Sequence, residues 1–116
     1  MKAVIHRNYN ASEEQALKEI EELGDFPLTF DVPATKNEPH FHDFDNVLYI
    51  LEGALTVTET ESGETYTLEP GDKAEAKGFV LHHEDHQGFK AVFGFSQDPA
   101  TFTMPIDKPA ADLPKN

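Results

Sequence analysis

Pro39-His40-Phe41-His42-Asp43-Phe44-Asp45-Asn46-Val47-Leu48-Tyr49-Ile50-Leu51-Glu52-Gly53 decides the reading of this chain. A single residue separates His40 from His42, so on a strand both imidazoles point to the same face. Two imidazoles on one face can chelate one metal ion. Val47 to Leu51 is a near-continuous apolar run, which predicts a strand covered on both faces. Glu52-Gly53 breaks that run. Further along, a third histidine, His82, follows the turn signal Glu69-Pro70-Gly71-Asp72.

The surrounding sequence is built mostly of short strands. Leu28, Phe30 and Val32 alternate with Thr29 and Asp31, and Pro33 ends that strand. Ala54 to Thr60 continues after Gly53 with Leu55 and Val57 on one side. Glu61-Ser62-Gly63-Glu64 is a hairpin loop, and Thr65 to Leu68 returns. Gly78 to His82 reads as a further short strand. Phe89, Ala91, Phe93 and Phe95 alternate in the last strong one, and Phe102 to Met104 reads as an edge strand. The one helix is predicted over 12–23. Ser12 is its N-cap, Gln15 completes a capping box, and Ala16, Leu17, Ile20 and Leu23 form its apolar stripe. Gly24 is its natural stop. Residues 105–116 hold three prolines and read as a tail, loose or laid across a partner subunit.

A chain of 116 residues is expected to form one domain, 1–116, with the barrel over 28–104. Cysteine is absent, so thiolate ligands, thiolate nucleophiles and disulfides are excluded. The formal charge of −13, from 22 acidic and 9 basic residues, repels phosphate backbones and argues against nucleic-acid binding. No segment is apolar enough to span a bilayer, and the apolar stretch in Met1–Arg7 is too short for a signal peptide, so the expected location is cytoplasmic. Ser12, Ser62 and Ser96 lack a nucleophile-elbow context. Glu59, Glu61 and Glu64 read as solvated charge at a hairpin tip.

These residues resemble the cupin superfamily. Its first motif, G-x5-H-x-H-x3-E-x6-G, falls on Ala34, His40, His42, Asn46 and Gly53. Its second, G-x5-P-x-G-x2-H-x3-N, falls on Gly71, Lys77, Phe79, His82 and His86. Three histidines and one glycine of each motif are in place over roughly Asn37 to Phe95. The motif glutamate is replaced by Asn46, and the terminal asparagine by His86. The resemblance implies an all-β double-stranded β-helix, or jelly-roll barrel, with one short N-terminal helix. It also implies a homodimer.

Three neutral imidazoles suit a borderline divalent ion: zinc, nickel, iron, manganese or copper. The candidate ligands are therefore His40, His42 and His82, with Asn46 as a weak fourth ligand or an orienting group. Asp45 and Glu84 are the nearby carboxylates, but neither is expected to replace the missing glutamate, and Asp45 has the wrong parity. His83 would point outward from its strand, and His86 reads as a loop residue near the pocket mouth. Phe30, Phe44, Leu48, Phe89, Phe93 and Phe95 are candidates to line a pocket. The function expected from this set is action on a small organic molecule, by oxygenation or isomerisation. The alternative is a barrel that binds a sugar or carboxylate without catalysis, with weak or no metal.

Overall fold

The structure, a computed structural model, describes residues 1–114. Its strands are β1 (Val4–His6), β2 (Phe26–Lys36), β3 (His40–Phe41), β4 (Asn46–Gly53), β5 (Leu55–Glu59), β6 (Thr65–Leu68), β7 (Lys73–Ala76), β8 (His82–Phe95) and β9 (Lys108–Pro109), with one α-helix, α1 (Glu13–Glu22). All strand pairs are antiparallel and belong to one curled sheet, a jelly-roll barrel.

β8 is the spine of this sheet. Its C-terminal half lies between β2 and β4, where Phe95 faces both Phe26 and Asn46. Its N-terminal half pairs with β5 and, through His82, with His40 of β3. The strand starting at Gly78 that the sequence suggests does not form. Residues 78–81 are a turn, in which Phe79 has φ +61° and donates its N–H to the His42 carbonyl at 2.7 Å. The strand instead begins at His82 and runs unbroken through Gly88, whose φ of +109° only glycine adopts without strain. Side chains on both sides of Gly88 reach the same cavity: His82 and Glu84 before it, Phe89, Phe93 and Phe95 after it. Gly53 is constrained differently. A Cβ there would lie 2.4 Å from the Gly88 carbonyl oxygen, so these two turns of chain touch backbone to backbone.

β4 shows why its apolar run has no polar alternation. Val47 and Tyr49 pack with Ala16 and Ile20 of α1, and Leu48 and Ile50 face the barrel core with Leu55, Val57 and Leu68. Both faces are therefore dry. The helix begins as expected, with Ser12 Oγ accepting from the Gln15 N–H at 3.1 Å. The Gln15 side chain does not reach back; it donates to Glu19 Oε2 at 2.8 Å, leaving half of the capping box. Leu23 lies at the helix end and is exposed rather than part of the packed stripe.

Two further expectations are corrected. Phe102–Met104 is not a strand: Pro99–Thr101 forms a turn of 3-10 helix, and the Phe102 ring stacks on Phe44 with centroids 4.2 Å apart. The tail is not loose over its described part. β9 pairs with β3, and Lys108 donates to the carbonyls of Thr103 and Pro105, so the chain folds back over its own barrel. The last two residues of the 105–116 tail lie outside the described residues.

Candidate metal centre

The barrel holds a cavity of about 420 Å³ that is open to solvent. All six expected lining residues, Phe30, Phe44, Leu48, Phe89, Phe93 and Phe95, border it. So do the polar side chains of His42, His82, Asn46, Glu84 and Asp107, with Glu59 and Lys77.

His40, His42 and His82 converge. One ring nitrogen from each lies within 4.8 Å of the others. The ring centroids are 4.5 Å apart for His40–His82, 5.0 Å for His42–His82 and 5.3 Å for His40–His42. Strand pairing accounts for this. His40 and His82 are direct partners across β3 and β8, and His42 follows two residues along from His40.

The tautomers of two rings follow from their hydrogen bonds. His40 Nδ1 lies 2.8 Å from the Glu38 carbonyl oxygen, and His82 Nδ1 lies 2.8 Å from that of Val80. A carbonyl only accepts, so both Nδ1 atoms carry the proton and donate. In a neutral imidazole this leaves a lone pair on each Nε2. His40 Nε2 is buried without a hydrogen-bond partner.

Two carboxylates meet these rings. Glu84 Oε1 is 3.3 Å from His40 Nε2 and 3.2 Å from His82 Nε2. Asp107 Oδ1 is 2.8 Å from His42 Nε2 and 3.7 Å from His40 Nε2. Glu84, named from the sequence as a nearby carboxylate, lies two residues beyond His82 on β8 and meets two of the rings. Asp107 carries no sequence signal, because it reaches the site from the tail. Burial acts against the charged form of His40, but Glu84, the Glu38 carbonyl and Asp107 outweigh it and raise its pKa. Burial likewise opposes ionisation of Glu84, and the two histidines more than offset this, holding its carboxyl well below the usual range. Asp107 is lowered chiefly by its hydrogen bond with His42.

Comparison with known families and with curated proteins finds no match for the sequence. Solved structures do match. A DUF861 family protein from Thermotoga maritima is 23% identical with a TM-score of 0.56, over 78% of this chain and 96% of that one. Acireductone dioxygenase from Bacillus anthracis, described with a cadmium ion in its active centre, is 18% identical with a TM-score of 0.61, over 82% and 78%. A TDP-quinovose 3,4-ketoisomerase from Campylobacter jejuni is 14% identical with a TM-score of 0.56, over 75% and 71%. The fold is that of a cupin. A longer protein of unknown function from Pseudomonas syringae also matches, at 13% identity and a TM-score of 0.57, over 60% of this chain and 30% of that one.

The remaining candidate site residues can now be placed. Asn46 opens β4, and its Oδ1 is buried with no hydrogen-bond partner. Asp45 is turned elsewhere, accepting from the Gly78 N–H at 2.9 Å. His83 pairs with Thr58 across the strands, and its Nδ1 is buried and unpartnered. His86 is not a loop residue: it is buried on β8 opposite Thr35, with its ring edge-on to Phe89. Glu59 is not solvated. It is buried at the end of β5, where its carboxylate accepts from the N–H groups of Lys2 and Ala3. No helix among the described residues is long and apolar enough to cross a membrane.

The donor set fits a divalent metal ion. Three imidazoles converge, two of them locked by carbonyls in the tautomer that frees Nε2, and one of these nitrogens is buried without a partner.

Proposed function

We propose that this cupin holds one divalent transition-metal ion through His40, His42 and His82, and acts on a small organic molecule bound in the barrel. The observation that carries the reading is the convergence of three ring nitrogens, two of them on rings (His42 and His82) that border a mainly apolar cavity. When bound, such an ion supplies Lewis-acid polarisation of a substrate oxygen or, if it is iron, a site for dioxygen. The chain itself supplies the rest. Phe30, Phe93, Phe95 and Phe102 offer apolar walls that exclude water and orient a flat or branched carbon skeleton. Asn46, with an acceptor facing no protein donor, is placed to bind a substrate hydroxyl or N–H. The dioxygenase and the ketoisomerase named above support oxygenation and isomerisation as the reaction classes.

Asn46 also favours a second reading. A neutral amide where the motif has a carboxylate weakens divalent binding, which suits a barrel that binds a small sugar or carboxylate without turnover. Elemental analysis of protein purified without chelator separates the two. Near-stoichiometric metal, lost in His42→Ala while the barrel stays folded, supports the metal centre. Less than about a tenth of an equivalent, with no uptake on reconstitution, rejects it.

A homodimer is part of the same proposal. Among the described residues β2 pairs only with β8, and Phe26, Leu28 and Phe30 along it are exposed. A second copy would cover that edge.

A further inference from the structure

The three-histidine reading leaves the charge at the centre unbalanced, because Asn46 brings none. Resting on that reading, we infer that Glu84 is the anionic ligand of the metal, supplied from β8 in place of the carboxylate missing at position 46. Three observations carry this.

The first is a contact that neutral rings cannot make favourably. The Nδ1 protons of His40 and His82 are committed to the carbonyls of Glu38 and Val80. Each Nε2 therefore presents a lone pair to Glu84 Oε1, at 3.3 and 3.2 Å. In the neutral rings two nitrogen lone pairs and a carboxylate oxygen repel one another; either a proton on each ring or a single metal ion among them relieves this. A metal ion does so for all three donors at once.

The second is how the carboxylate is aimed. Asn37 holds residue 84 at three points. Its Oδ1 accepts from the Glu84 N–H at 2.8 Å, its backbone N–H donates to the Glu84 carbonyl at 3.2 Å, and its Nδ2 donates to Glu84 Oε2 at 3.4 Å. One oxygen is tied to the amide while the other points at the rings. Ligating carboxylates are characteristically fixed in this way by a hydrogen bond to the non-ligating oxygen. Asn37 is thus a positioning residue.

The third is the contrast with the other acids. Asp107 is 61% exposed, whereas Glu84 is 22% exposed. Asp107 makes its short contact to His42 alone, and a neutral His42 can donate to it from Nε2 without any cation. Asp45 is engaged with the backbone of Gly78.

The test is Zn²⁺ affinity by chelator competition, with Co²⁺ absorption spectra as a second readout, on the full chain. Glu84→Gln keeps the shape of the side chain and its bond to Asn37 and removes the charge. It is expected to weaken Zn²⁺ by at least about tenfold and to alter the Co²⁺ bands, with the melting temperature of the metal-free protein held or raised. Asn37→Ala should weaken binding by a smaller factor. Combined with Glu84→Gln, it should add no further loss, because it acts through Glu84. Glu84→Gln binding within twofold of wild type, with unchanged Co²⁺ bands, overturns the assignment and leaves Glu84 as an ion-pair partner of protonated rings. The assignment is equally overturned if the loss of affinity follows Asp107→Asn instead. A wild-type protein that binds neither ion overturns the three-histidine reading itself, which is a different and separately visible failure.

Discussion

At the scale of single residues, the site is decided by which nitrogen of each ring is already engaged. A carbonyl two residues back fixes His40 and His82 before any ligand arrives. Asn46→Glu restores a carboxylate to a side chain that borders the cavity. It should tighten Zn²⁺ by about tenfold or more, measured by chelator competition; unchanged affinity would place the side chain outside the metal centre. Much of this site is legible in the sequence, because one strand alternation rule places His40 with His42 and a motif spacing adds His82. Glu84 is named there too as a nearby carboxylate, and the same alternation, His82-x-Glu84, accounts for its contact with the rings. Asp107 is different in kind, since nothing local to a proline-rich tail states where it will lie.

At the scale of elements, α1 is held by two completely buried side chains, Ala16 and Ile20, against Val47, Tyr49 and Val92 of the sheet. Ile20→Ala should cost about 2–5 kcal/mol in denaturant unfolding, because the cavity left behind adds to the lost transfer energy. The helix also carries Glu19 to a polar cluster. Burial alone would raise the pKa of Glu19. Hydrogen bonds from Gln15, Tyr9 and Tyr49, with the Lys73 ammonium 3.5 Å away, outweigh burial and hold the pKa down at about 2. A depressed carboxyl stabilises the fold above its unfolded pKa. That contribution is lost as pH falls from about 4.5 toward 2, and is on the order of 1–2 kcal/mol once solvent screening is allowed for. Glu19→Gln should therefore flatten the acid limb of the stability curve, measured by urea unfolding across that range. The strands are legible in the sequence where apolar alternation is strong, as in β2, β4 and the end of β8. They are not where pairing is imposed by neighbours: β1 and β7 are short and follow tertiary contact rather than pattern.

At the scale of the whole molecule, one wall of the cavity comes from far along the chain. Ile106 and Asp107 border it, and β9 anchors them to β3 through a single short ladder. Ending the chain after Thr103 should leave the barrel folded, with a small change in melting temperature. The same change should weaken retention of apolar ligands in a fluorescence displacement assay. The open edge at β2 bears on assembly. Light scattering on the purified chain should report twice the monomer mass, and Leu28→Lys should shift it toward monomer, since a charge there must be desolvated when the edge is covered.

The carbonyl-bound ring protons of His40 and His82 carry a practical consequence. Being shielded and tethered, they should trade places with deuterium slowly and resonate far downfield of the amide envelope. An ordinary one-dimensional proton spectrum could then watch ions enter and leave the barrel without isotopes, dyes or knowledge of the natural substrate.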